Sequence, residues 1–408
     1  MLKNLELTIP QFYDITEPEI QATRLLFDEC DKTLIPYGYR EIKTSLIRDY
    51  KYLAATKVHF SKIFEVHRPR QGSVFLLQSD LAMSMSEYVS RIKFPRVLKL
   101  FQMGTLLRDR VDNLPGYRRE FQQLLSGVWG SASLYYDAEL IYLNYLILKK
   151  LNCYGMLRIQ LSNFNILNAV CENLAESIRF EGIDGLFSSI YLSDNDKKLI
   201  QEYFSINEFD ASFLYKFREK IQSNVVQQEI DRLIEVFNRL KLLLQQETVD
   251  IRFSINNLAG TGHYSGLHYR IYADDVLIVD GGRIDDMCRR FDDSKNIPAV
   301  CMGMGVQMVV EKIAVQPRSF CTILISLADF EKNIQGLLFA QNEIMKLGFV
   351  CSIIPLKRKQ WGDVFTNEYY CNSIFVLCLT EKIEIRNAIN DEQKNIILKI
   401  MQNKLTTN

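Results

Sequence analysis

Phe101-Gln102-Met103-Gly104-Thr105-Leu106-Leu107-Arg108, then Arg119-Glu120-Phe121-Gln122-Gln123 and Gly127-Val128-Trp129-Gly130, is the stretch that decides the fold. A strand runs into Arg108 and a further one spans Phe121 to Val128, apolar runs bounded by charged or glycine-containing turns. The intervening loop is basic, and Arg108, Arg110, Arg118 and Arg119 form a cluster. Such a cluster reads either as a solvated loop or as an anion site, with Arg108 and Arg119 the candidates for the second reading.

Upstream, Thr16-Glu17-Pro18-Glu19 predicts a helix start, with a hydroxyl at the N-cap, a carboxylate three residues on and Pro in the first turn. That helix should turn Leu25, Leu26 and Cys30 inward and end before Pro36-Tyr37-Gly38. Ile63 to His67 and Val74 to Leu77, separated by Arg68-Pro69-Arg70-Gln71-Gly72, read as a hairpin. Downstream, residues 137 to 151 read as a largely buried helix. From about 165 to 250 the pattern is helical, and Ile230, Leu233, Ile234, Phe237, Leu240 and Leu244 share one face. Strands resume at Ile251-Arg252-Phe253 and at Tyr269 to Tyr272.

After Pro317 the pattern changes. Thr322 to Ser326 reads as a strand, 329 to 347 as a helix stopped by Gly348, and Phe349 to Ile354 and Ile374 to Cys378 as two further strands. Strand-helix-strand at this spacing predicts a small α/β domain with a parallel pair. The expected organisation is a domain over 1–316, with a helical insertion at about 165–250, and a C-terminal α/β domain over 317–408.

The 408 residues, 48% of them hydrophobic, suffice for a full core in two or three domains. With 49 basic against 49 acidic residues, no global field draws the chain to nucleic acid or a membrane. Nine scattered cysteines without a CxxC pair fit reduced thiols, and four histidines without paired spacing give no zinc pattern. Neither a signal peptide nor an apolar run of spanning length is present, so a soluble, cytoplasmic protein with no membrane partner is expected.

Further motifs follow in order: His263-Tyr264-Ser265-Gly266, Gly281-Gly282-Arg283-Ile284-Asp285 and Met302-Gly303-Met304-Gly305. The series over roughly residues 8 to 315 resembles the class II histidyl-tRNA synthetase fold. Its nearest-looking branch is the non-catalytic regulatory subunit of ATP phosphoribosyltransferase. The resemblance implies an α/β (α+β) architecture: a class II antiparallel sheet with flanking helices, a helical insertion and a C-terminal domain like the synthetase's anticodon-binding domain. It also implies a dimer formed around Gly38 to Tyr50, although the first motif's proline is Ser45 here.

Amino-acid activation by ATP needs fixed guanidinium groups to offset the charge gathering at the α-phosphate. Of the arginines that the resemblance implies, the second-motif one is kept as Arg108. The third-motif one falls at Met308, after Gln307 in place of a glutamate, and the histidine-specific one falls at Ala259. Each such loss costs about 3–4 kcal/mol of transition-state stabilisation, so no catalytic residue and no cofactor are expected. The amino-acid pocket implied is partly kept, in Asp80, Gln123, Tyr264, Ser265 and Gly266, with Arg108 beside it. Its threonine is Ala82, and its imidazole-reading glutamate is Gly127. Gly303-Met304-Gly305 reads as tight packing of a strand against a helix rather than as a phosphate loop.

The resemblance thus implies a regulatory subunit in the first step of histidine biosynthesis. It would pair with a short-form ATP phosphoribosyltransferase catalytic subunit and with itself, take histidine as effector and not bind tRNA. The alternatives are a divergent histidyl-tRNA synthetase-like amino-acid ligase and an orphan pseudo-synthetase scaffold.

Overall fold

The computed structural model describes residues 11–50, 52, 63–68, 73–93, 96–109, 118–153, 155–169, 192–245, 247–256, 264–313, 319–366, 370, 373–379, 382–388 and 390–405. The chain divides into two units, Met1–Val315 and Gln316–Asn408.

In the first unit the order is α1 (Glu17–Leu34), β1 (Arg40–Glu41), β2 (Ile47–Asp49), β3 (Glu65–Arg68), β4 (Ser73–Leu77), α2 (Leu81–Arg91), β5 (Leu98–Leu107), β6 (Glu120–Trp129) and α3 (Tyr135–Lys150). Next come β7 (Leu157–Asn163), α4 (Asn165–Asn168), α5 (Asp194–Ser205), α6 (Ala211–Lys220), α7 (Asn224–Leu244), β8 (Asp250–Ser254), β9 (Leu267–Ala273), β10 (Val276–Arg283), β11 (Ala299–Gly305) and α8 (Val306–Val310). Eight strands form one sheet in the order β1-β5-β6-β11-β10-β9-β7-β8, and β2-β4-β3 form a second. The large sheet is antiparallel from β5 to β7. Its edge strands β1 and β8 each pair in parallel, so the sheet is mixed rather than wholly antiparallel.

The hairpin at 65–77 forms as expected from its two apolar runs, while its turn at 69–72 lies outside the described residues. Helix α1 starts after Thr16, but the Thr16 hydroxyl makes no capping bond, and its carbonyl accepts from the Ile20 N–H instead. Ala22, Leu26, Cys30 and Leu34 are buried on it, whereas Leu25, expected inward, is exposed. The reason is rotational: the inward stripe runs at i, i+4, i+8 and i+12 from Ala22, and Leu25 sits about 100° round from Leu26. Helix α7 buries the predicted stripe at Ile230, Leu233, Phe237, Leu240 and Leu244, with Ile234 half-buried at its margin.

Because side chains alternate along a strand, each sheet residue belongs to one of two faces. One face presents Phe101, Leu124, Val128, Ile159, Leu161, Tyr269, Ile271, Val279, Val300 and Met302 to helices α1, α3 and α7. The other presents Leu100, Leu106, Leu125, Trp129 and Cys301 to Leu81, Met83, Met85 and Val89 of α2. On the helix-covered face Arg283 and Asp137 form a fully buried ion pair. The Arg283 guanidinium also donates to the carbonyls of Ser131 (2.8 Å) and Ser133 (2.9 Å), and the Tyr269 hydroxyl donates to Asp137 at 2.6 Å. This network bolts the start of α3 to β9 and β10. Gly281 and Gly282 let β10 lie close to its sheet neighbours, since a Cβ on either would stand 2.3 Å from a carbonyl oxygen, of Cys301 on β11 and of Leu267 on β9 respectively.

The second unit holds β12 (Phe320–Ile325), α9 (Leu327–Lys346), β13 (Val350–Pro355), α10 (Trp361–Phe365), β14 (Ser373–Cys378), β15 (Ile383–Arg386) and α11 (Asp391–Leu405). Strand β12 pairs in parallel with β13, as expected, and also with β14. Ser326, read as the last strand residue, is instead the N-cap of α9, its hydroxyl accepting from the Asp329 N–H at 3.1 Å. An antiparallel edge strand, β15, and helix α11 complete the unit beyond what the sequence reading placed. Among the described residues no helix is long and apolar enough to cross a membrane.

Candidate functional site

Register on the face under α2 sets the site. Leu125 of β6 lies opposite Gly303 of β11, which lies opposite Asp280 of β10; in the adjoining row Gly127, Cys301 and Gly282 are similarly aligned. Gln123 is one step further along β6. Helix α2 supplies Asp80 and Ala82, Arg108 leaves the end of β5, and together these groups enclose a cavity of about 230 Å³ that Tyr264 and Ile284 also line. That volume is smaller than a drug-sized pocket and is on the scale of an amino acid.

Asp80 has two duties. Its Oδ1 accepts the Met83 N–H at 3.0 Å as the N-cap of α2, and its Oδ2 faces Arg108 Nη2 at 3.5 Å. Arg108 is held by its Nε, which donates to the Ser79 carbonyl at 2.6 Å, and it lies 5.6 Å above the Phe121 ring. The guanidinium is therefore well anchored while its contact to Asp80 is long. Gly303 keeps the neighbouring space open: a Cβ there would come within 2.6 Å of the Gln123 amide nitrogen. This revises the reading of Gly303 as a strand-to-helix packing residue, because its missing side chain makes room for Gln123 in the cavity.

At the other end Asp280 accepts from Tyr264 (2.9 Å) through Oδ2, and through Oδ1 it meets His268 Nε2 (2.9 Å) and Arg270 Nε (2.8 Å). Burial opposes charge on Asp280, but the His268 and Arg270 contacts outweigh it and hold the carboxyl at about 2. Burial, reinforced by the adjacent Asp280 charge, pushes the Tyr264 hydroxyl well above its usual range, so it remains a donor. The Cys301 thiol is likewise pushed up by burial and serves as a neutral wall. Where Gly127 lacks a side chain, the Cys301 sulfur and the Trp129 ring fill the space, at 2.7 and 2.8 Å from the position of a Cβ.

Asp80, Arg108, Gln123 and Tyr264 thus come together around one cavity, and Ser265, Gly266 and Arg119 do not join its lining. Ser265 instead shapes the turn, its hydroxyl accepting from the Asp285 N–H at 2.9 Å. Gly266, at φ +125°, closes against Asn165 and Asn163. Arg119 pairs with Asp109 at 3.2 Å, and Arg118 is gripped by both oxygens of Glu19, so the basic cluster is spread among separate acids. Arg110, Ala259 and His263 lie outside the described residues. Met308 packs against the helix-covered core, and the Gln307 side chain accepts from the Gln122 N–H.

Asp280 was missed by the sequence reading. A signal was available: a lone acid within Val276-Leu277-Ile278-Val279-Asp280, with His268 and Arg270 at alternate positions on the preceding strand. Arg270 also lines a second cavity of about 620 Å³, bounded by the polar residues Arg158, Gln160, Ser254 and Asn256 and by Asn207 and Glu208 of the insertion.

A family model described as histidyl-tRNA synthetase matches residues 11–309. Histidine–tRNA ligase of Sulfurisphaera tokodaii is 23% identical over 289 residues, about two thirds of each chain. That of Sulfolobus acidocaldarius is 23% identical over 422 aligned positions, 96% of each. Among solved structures, an ATP phosphoribosyltransferase regulatory subunit/histidyl-tRNA synthetase from Bacillus halodurans superposes with a TM-score of 0.71 at 18% identity, covering 93% of this chain and 100% of that one. Histidyl-tRNA synthetase from Nostoc gives 0.66 at 17%, covering 92% of each. At these identities the structural likeness establishes the fold.

Proposed function

Because the chain belongs to the histidyl-tRNA synthetase family, we propose that it is a non-catalytic member: a regulatory subunit that binds a free amino acid, with histidine as effector, and controls a short-form ATP phosphoribosyltransferase catalytic subunit. The observation that carries this reading is the lining of the cavity. Arg108 is the single cation among its described lining residues, loosely paired with Asp80, while Met308 has turned into the core. A long carboxylate–guanidinium contact suits a zwitterion, whose ammonium meets Asp80 and whose carboxylate meets Arg108. One guanidinium already facing an acid is poorly equipped for a triphosphate undergoing displacement. Ligand binding would then bias the assembly through a coupling free energy, with no chemistry in this chain.

Self-association is part of the proposal. Leu46, Ile47 and Tyr50 are exposed apolar side chains within the segment assigned to pairing, and Ile35 and Tyr37 are exposed just before it, the kind of surface that interfaces cover. The family's own reaction is the alternative, and one experiment separates the two. Tagged chain should co-purify with a short phosphoribosyltransferase subunit and raise its activity in a histidine-sensitive way, while showing no histidine-dependent pyrophosphate exchange with ATP. Exchange above background, lost in Arg108→Ala, would establish a ligase instead.

A further inference from the structure

We propose that Asp280 is the specificity-determining group of this cavity: it accepts a hydrogen bond from a side-chain nitrogen of the bound amino acid, so the site selects α-amino acids carrying an N–H donor on the side chain. The inference rests on the reading of the cavity as an amino-acid site and extends it to the ligand's other end.

The lining combines three kinds of group. Asp80 and Arg108 face each other in it, so an ammonium and a carboxylate find opposite charges, and Gln123 adds a neutral polar group. Leu125, Ile284 and Cys301 supply an apolar wall that suits a methylene linker, and the Gln123 amide lies over Gly303. Asp280, opposite Gly303 on the neighbouring strand, faces the same cavity. It is not a solvated acid that happens to be near, because its companions are buried: His268 is fully enclosed, Arg270 is 16% exposed, and the carboxylate itself keeps 36% of its surface open. Oδ1 is occupied by His268 and Arg270, whereas Oδ2 accepts the Tyr264 hydroxyl alone among the described residues. A carboxylate oxygen can accept two hydrogen bonds, so Oδ2 retains capacity for a ligand donor. At Gly127 strand β6 offers no competing polar group, since Cys301 and the Trp129 ring close the space there. An apolar ligand side chain would leave this fixed carboxylate desolvated without a new partner, and that penalty is the source of discrimination.

Calorimetry on the full chain tests this with histidine, leucine and the two ring-methylated histidines as probes, on the wild type and on Asp280→Asn, which keeps the shape and two acceptor lone pairs. The wild type should prefer histidine to leucine at least tenfold, one ring-methylated isomer should bind at least tenfold more weakly than histidine, and the histidine-to-leucine ratio should fall at least tenfold in Asp280→Asn. The methylated ligands are read on the wild type, so the test stands even if the variant fails to fold. Amino-acid binding with equal affinity for histidine, leucine and both methylated forms would overturn the role of Asp280 and leave the amino-acid reading intact. No heat with any amino acid would overturn both.

Discussion

Asp80 joins a structural and a recognition duty in one carboxylate, and two substitutions separate them. Asp80→Asn keeps a side-chain oxygen for the Met83 N–H at the N-terminus of α2, and Asn caps helices about as well as Asp. It removes the charge that faces Arg108 and, in the proposed complex, the ligand ammonium. Asp80→Ala removes both functions. Cap loss costs about 1 kcal/mol of stability. For the ligand, a fully desolvated charge pair would be worth about 2–5 kcal/mol. Here the two side chains are 14% and 24% exposed and 3.5 Å apart, so the charge-assisted hydrogen-bond range of about 1.5–3 kcal/mol is the better estimate. That is a loss of roughly 10- to 150-fold in histidine affinity. Titration calorimetry and urea unfolding on the same preparations give both readouts. Asp80→Asn should match the wild type in stability but lose affinity; Asp80→Ala should lose both. Wild-type affinity in Asp80→Asn would mean that Asp80 only caps α2, and the zwitterion argument would fall.

Arg283→Ala leaves Asp137 charged and buried and should destabilise the first unit by about 3–5 kcal/mol, visible as a shifted urea midpoint. Gly127→Glu forces a side chain against Cys301 and Trp129; overpacking of about 1–3 kcal/mol should appear in unfolding, with no gain in histidine affinity by calorimetry. Asp280 has its carboxyl lowered in the folded state to about 2, against an unfolded value of about 3.9. Its stabilisation is therefore fully present above pH ~4 and lost as pH falls towards 2. Acid-unfolding curves of the wild type and Asp280→Asn should accordingly converge across that window. Ile47→Asp places a charge on an exposed apolar strand residue; light scattering should show a dimer for the wild type and a monomer for the variant, with the thermal midpoint of the first unit otherwise preserved.

The strands and helices were legible because their signals are local. Alternation around 101–107 and 120–129, the α7 stripe and the Gly348 stop each depend on near neighbours in sequence. What failed to show was set by distance or rotation. Leu25 reads like Leu26 in composition but lies round the helix, and the unused Thr16 hydroxyl depends on local geometry. At the site, Asp80, Arg108, Gln123 and Tyr264 were identified through the motifs that the chain shares with its family, and they converge. Ser265, Gly266 and Arg119 sit in those same motifs but face a turn, a backbone contact and Asp109. Asp280 belongs to none of the motif positions considered, and its neighbours His268 and Arg270 become visible only when β9 and β10 are paired in register.

The parallel pairing of β7 with β8 has a kinetic side. The two strands are adjacent in the sheet, yet the helical insertion separates Asn163 from Asp250 along the chain. Closing so long a loop must precede the reward of pairing, whereas β9 and β10 meet through a tight hairpin. The edge strand and the insertion should therefore dock late during folding and open early as one cooperative unit, with amide exchange faster there than in the β5-to-β10 centre. The second cavity, lined by Ser254, Asn256, Asn207 and Glu208 of this unit together with Arg158 and Gln160 of β7 and Arg270 of β9, joins the late-forming unit to the rest of the sheet, so anything bound in it would hold that unit closed.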